Sequence, residues 1–71
     1  MRKSRAKIIG EGIYSRRVCA EMSVRELADA IDRTHPVVLR IEAGDQYPRI
    51  PVLYDIARAL GCSVHELLPD S

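Results

Sequence analysis

The side chains equipped for specific chemistry in this chain are suited to recognition and not to reaction. Arg40 carries a planar guanidinium whose fork of N–H donors matches guanine O6 and N7, and His35 can donate or accept at a base edge. Cations gather at one end. Arg2, Lys3, Arg5, Lys7, Arg16 and Arg17 stand against Glu11 alone in residues 1–17, whereas residues 50–71 carry Arg58 against Asp55, Glu66 and Asp70. Formal net charge is only +1, so this asymmetry, more than the sum, would orient the chain on a polyanion. Nothing comparable supports catalysis. His35 and His65 are far apart in the pattern, no acidic pair marks a cleft, and neither a glycine-rich phosphate loop nor metal-ligand spacing occurs. No enzyme activity, cofactor or metal is therefore expected. Cys19 and Cys62 are too few for a disulfide framework and suit a reducing compartment. Cysteine burial statistics predict a packing role for Cys62, while Cys19 is assigned none.

The elements that must position Arg40 and His35 lie in residues 23–44, SVRELADAIDRTHPVVLRIEAG. Ser23 followed by Glu26 is a capping box, and Leu27, Ala28 and Ile31 then recur at helical spacing. Asp32, Arg33 and Thr34 break the apolar run before Val37, Val38 and Ile41 resume it, and Gly44 closes it as a left-handed cap. Two short helices joined by a tight turn form a unit that can present its second helix to a DNA major groove. Around it the pattern predicts a first helix over about Ala6–Cys19, with Ile9, Ile13 and Ala20 on its inner face. The second helix spans Val24–Ile31 and the third about Pro36–Ala43. Pro36 biases its predecessor away from helical geometry, which moves the expected cap from Thr34 to His35. Pro51 suits the first turn of a fourth helix with core residues Leu53, Ile56, Ala57 and Leu60, and Ser63 with Glu66 caps a short fifth helix ending near Leu68. No strand signal competes, so the fold class is all-α.

The ordered set Ile9-Gly10, Ile13, Arg17, Ser23-x-x-Glu26-Leu27-Ala28, Arg40-Ile41-Glu42-x-Gly44, Pro48 and Leu53-x-x-Ile56-Ala57-x-Ala59-Leu60-Gly61-x-Ser63-Val64-x-Glu66-Leu67-Leu68 resembles the Cro and phage-repressor-type helix-turn-helix family. The resemblance runs from about Ile9 to Leu68. It implies a compact five-helix, lambda-repressor-like DNA-binding domain whose helices 2 and 3 form the helix-turn-helix. It also implies that His35, Pro36 and Arg40 face base edges and that the chain near Thr34 and Val37 approaches phosphates. An arginine and a glutamate tie helices 1 and 3 together in this family, which implies an ion pair between Arg17 and Glu42. A charge on a core-facing edge needs such a partner, because an unpaired buried ion is expensive. Where the family usually begins its second helix with glutamine, this chain has Val24, which removes one polar contact.

The expected function is that of a transcriptional regulator binding a palindromic operator in double-stranded DNA as a homodimer. Lys3, Arg5, Lys7 and Arg49 would meet phosphates, and Val37 or Leu39 a thymine methyl. Val52, Tyr54 and Val64 on helices 4 and 5 are the expected dimer contacts. The same third helix supports a second use. Pro36, Val37 and Leu39 would form an apolar docking face for a protein partner, making the chain an adaptor or antiactivator. A chain of 71 residues corresponds to one domain at 7–68, flanked by a basic flexible arm at 1–6 and a tail at 69–71, with no separate catalytic domain. No apolar run reaches membrane-spanning length and no signal-peptide core follows the basic start, so a cytoplasmic, nucleoid-associated protein without membrane contact is expected.

Overall fold

Ser4 opens the first helix in the computed structural model, which describes residues 4–68; its hydroxyl accepts the Lys7 backbone N–H at 3.1 Å. That cap starts α1 at Arg5–Cys19, slightly ahead of the expected Ala6, so Arg5 and Ala6 belong to a helix and not to a flexible arm. Arg2 and Lys3 of that arm, and the tail at 69–71, lie outside the described residues. At the other end of α1, Ala20 is the C-cap and exposed; the chain turns there, which takes it off the inner face where periodicity put it.

Helix α2 spans Val24–Ala30 and carries the full capping box: the Glu26 N–H donates to Ser23 Oγ at 3.0 Å and the Ser23 N–H to Glu26 Oε1 at 2.8 Å. It stops one residue short of Ile31, which caps it and still fills the core. Asp32 then takes the left-handed region at φ 56°, and the Arg33 N–H reaches back to the Ala28 carbonyl at 2.9 Å. This reverses the chain within a few residues, and an aspartate tolerates the left-handed geometry better than most side chains. Helix α3, His35–Ala43, begins on Thr34, not on His35. The Thr34 carbonyl accepts the N–H groups of Val37 at 3.1 Å and Val38 at 3.4 Å, so the first turn closes there. Pro36 is tolerated inside that turn because its missing donor would have no helical partner anyway.

Gly44 ends α3 at φ 83°, the conformation that only glycine adopts without strain. After a loop, α4 (Ile50–Leu60) and α5 (Val64–Leu67) complete an all-helical domain, α5 starting from a second capping box between Ser63 and Glu66. Ile9 and Ile13 of α1, Leu27 of α2, Ile41 of α3, and Leu53 and Ile56 of α4 are almost fully buried and form the centre of the core. Close approach of α1 to α3 depends on Gly10. A Cβ there would lie 2.6 Å from the Glu42 carbonyl oxygen and collide with that of Ile41.

Candidate nucleic-acid interface

Helix α3 divides cleanly into two faces. Val38 and Ile41 are buried against the core, whereas Thr34, His35, Pro36, Leu39 and Arg40 are exposed. Val37 is half-buried, packing against the core while lining a cleft between α3 and the following loop. Leu39, 45% exposed, is the large apolar side chain that this helix turns outward, one turn from the exposed Pro36. Arg40 Nε donates to Gln46 Oε1 at 3.1 Å, an interaction that joins the helix to the loop behind it. Sequence reasoning missed Gln46, because a contact from loop to helix has no periodic signature.

The cleft beside α3 has Val37 and Val52 along its apolar part, Gln46 and Tyr47 at its wall, and the side chains of Arg33 and Arg49 around it. Arg49 is also the N-cap residue of α4, and its side chain makes no capping bond. Thr34 makes none at the start of α3 either. The starts of α3 and α4, neither closed by a side chain, thus lie beside the exposed Arg33 and Arg49, whose guanidinium groups suit oxyanions such as phosphate. By contrast, the N-termini of α2 and α5 are closed by Glu26 and Glu66. Arg25, exposed in the first turn of α2, and Arg33, in the turn between α2 and α3, were not among the residues singled out from sequence. The signal available for both was a basic side chain placed on the helix-turn-helix itself.

Arg5 and Lys7 occupy a different place. A Cβ at Gly44 would lie 2.8 Å from Lys7 Cα, so the start of α1 abuts the C-terminal end of α3. At about 1.5 Å per residue, that is roughly 13 Å from the end carrying His35. Both cations are exposed, and Lys7 lies at the opposite end of α3 from His35.

Arg17 and Glu42 do meet. Arg17 Nε and Nη2 donate to the two Glu42 carboxylate oxygens at 2.6 and 3.1 Å, and Nη1 donates to the Met22 carbonyl at 2.8 Å. Their side chains are 10% and 8% exposed, and the guanidinium carbon lies 5.3 Å from the centre of the Tyr14 ring. The hydrogen bond to Glu42 holds the Arg17 pKa above its ordinary value against the opposing effect of burial. Glu42 sits in the last turn of α3, so this pair clamps the helix to α1 without facing outward.

Of the expected dimer contacts, Val52 is 7% exposed and belongs to the core, because it shares the inner face of α4 with Leu53 and Ile56. Tyr54, 54% exposed, does face outward, with Ile50 one turn earlier and still more open. Val64 is half-buried and lines a shallow cleft with Tyr54, Arg58 and His65. Cys62 lies in the same cleft, and desolvation raises its thiol pKa against the pull of Arg16. Among the described residues no group of three or more His, Cys, Asp or Glu could hold a metal ion, and no helix is long and apolar enough to cross a membrane.

A family model described as helix-turn-helix matches residues 13–67. Among solved structures, the chain is similar to the clp gene regulator ClgR from Corynebacterium glutamicum, with a TM-score of 0.89 and 25% identity over 92% of this chain and 69% of that one. It is similar to the restriction-modification controller protein C.AhdI from Aeromonas hydrophila, with a TM-score of 0.85 over 89% of this chain and 96% of that one; at 21% identity this likeness concerns the fold alone. The competence regulator ComR from Streptococcus vestibularis shares 36% identity over 92% of this chain, with a TM-score of 0.85, but the match covers 22% of that protein. No curated protein sequence matches the chain.

Proposed function

Because the chain belongs to the helix-turn-helix family of DNA-binding transcriptional regulators, we propose that it reads a two-fold symmetric operator as a homodimer, with α3 in the major groove. The observation that carries this reading is the outward face of α3, where Arg40 offers a guanidinium already oriented by Gln46 and Leu39 offers an apolar contact for a thymine methyl. His35 lies at the edge of that face. Arg25, Arg33 and Arg49 flank it and meet phosphates, the last two beside the starts of α3 and α4.

One module of this size reaches few base edges, and pairing two half-sites about one helical turn apart supplies both affinity and specificity. The dimer surface is the outer side of α4 with the cleft leading to α5, where Ile50 and Tyr54 leave apolar area uncovered and Val64 adds a margin. Occupying an operator within a promoter would make the protein a repressor acting in the cytoplasm at the nucleoid. A second reading keeps one observation: Leu39 and Pro36 are exposed side by side, and an apolar plateau there would seat a protein partner.

Amide chemical-shift mapping of the isotope-labelled protein with a mixed-sequence duplex at low salt tests the DNA-facing surface. Shifts should concentrate on Thr34–Arg40, on the first turn of α2 and on the loop at 45–49. Shifts confined to α4 and α5, with α3 silent, would overturn the assignment.

A further inference from the structure

Arg40 does not stand free on α3, and what holds it restricts what it can read. An arginine can grip guanine O6 and N7 side-on, through Nε and one terminal nitrogen, or end-on, through Nη1 and Nη2. Here Nε is engaged, because it donates to Gln46 Oε1 at 3.1 Å. The end-on pair remains. The loop that carries Gln46 is itself anchored: the Asp45 N–H donates to the Arg40 carbonyl at 2.9 Å, and Pro48 is buried. Gln46 is half-buried between these two points, beside Val37.

We infer that Gln46 is a positioning and specificity-determining residue, which fixes Arg40 end-on as a reader of guanine. The inference rests on the DNA-binding reading above. Accepting the Arg40 Nε–H fixes the orientation of the Gln46 amide and leaves Nη1 and Nη2 as the Arg40 donors for a base. The end-on guanidinium edge offers two donors and no acceptor. Guanine answers with two acceptors in the major groove, whereas adenine and cytosine place an amino donor there and thymine a single carbonyl beside its methyl group. Without Gln46, Arg40 regains side-on and unpaired geometries that accept other acceptor-bearing edges, phosphate oxygens included.

The test uses the full chain and an operator selected from random duplexes by the wild-type protein. The guanine concerned is the one whose preference Arg40→Ala removes. Fluorescence anisotropy on four duplexes differing at that base pair should show the preference for guanine over adenine falling about fivefold in Gln46→Ala, as expected for loss of one orienting hydrogen bond. Melting temperature should stay unchanged, and affinity for a scrambled duplex should not fall. Gln46→Glu keeps the acceptor and should keep the preference, although its charge weakens binding to all four duplexes. If Arg40→Ala relaxes the base preference and Gln46→Ala does not, the positioning role is refuted and DNA reading by Arg40 stands. An equal loss on every duplex would make Gln46 a phosphate contact and also refute it. Failure of the wild-type protein to select any sequence refutes the DNA-binding reading and this inference with it.

Discussion

Removing Glu42 should unfold the domain more readily than any surface substitution, and the reason lies in what its loss leaves behind. The bidentate contacts of 2.6 and 3.1 Å and the third bond from Arg17 to Met22 hold a guanidinium that is only 10% exposed. Two unit charges at about 3 Å in an effective dielectric near 20 attract by roughly 5 kcal/mol. Desolvation offsets most of that, so the intact pair contributes little net stability, whereas a lone buried charge forfeits the attraction and keeps the penalty. Glu42→Ala or Arg17→Ala alone should therefore cost about 3–5 kcal/mol. At 0.05–0.15 kcal/mol per residue, the total stability of a domain this size is roughly 4–10 kcal/mol, so either variant approaches the unfolding threshold. Glu42→Gln keeps a hydrogen-bond acceptor and should cost less. The double replacement Arg17→Met with Glu42→Leu should cost less than either alanine variant. Urea unfolding followed by circular dichroism at 222 nm measures all four. Single-variant losses under about 1 kcal/mol that add in the double variant would show that the two residues do not act as a unit.

Two glycines of α1 predict opposite outcomes from the same substitution. Gly10→Ala drives a Cβ into the Ile41 and Glu42 carbonyls and should destabilise by about 1–3 kcal/mol, while Gly12→Ala meets nothing within 4 Å and should stabilise by about 0.5–1 kcal/mol through helix propensity; thermal unfolding of both distinguishes steric from entropic control. Hydrogen bonds from Ser23 and Ser63 lower the pKa of Glu26 and Glu66 below the ordinary 4.5. A depressed folded-state pKa means that each carboxylate stabilises the helix start above pH 4.5 and loses that contribution as pH falls through its folded value. Acid titration of stability should accordingly be shallower in Glu26→Gln and Glu66→Gln than in the wild type. Asp32, at φ 56° in the turn between α2 and α3, should accept glycine with a gain of up to about 1 kcal/mol in denaturant unfolding, with the turn geometry unchanged.

What the sequence discloses about this molecule follows the range of the interactions involved. Capping boxes at Ser23–Glu26 and Ser63–Glu66 close within one turn, so residue type and spacing suffice to place the starts of α2 and α5. Gly44 and Gly61 are similarly local, each ending its helix in the left-handed region. Pairing of Arg17 with Glu42 spans two helices and was accessible only because a family pattern and the cost of an unpaired buried ion point the same way. Details set by tertiary geometry were not accessible. Val52 and Tyr54 differ by two positions on α4, enough to send one into the core and the other outward, and periodicity alone did not separate them. The cap at Thr34 depends on a carbonyl serving two donors, which outweighs the bias that Pro36 imposes on His35. Lys7 lies at the far end of α3 from His35 because of the crossing that Gly10 permits between α1 and α3. The contact of Gln46 with Arg40 requires the loop after Gly44 to fold back along the helix, a path that no sequence period encodes.

The central claim is that α3, presented by a two-fold dimer, reads DNA. Selection of the wild-type protein against a pool of random duplexes, followed by sequencing, tests it most directly. The account predicts enrichment of a palindrome whose half-sites are centred about 10 base pairs apart, each containing a guanine whose enrichment disappears when the selection is repeated with Arg40→Ala. Recovery of no enriched sequence, or of one that Arg40→Ala selects equally well, would contradict it.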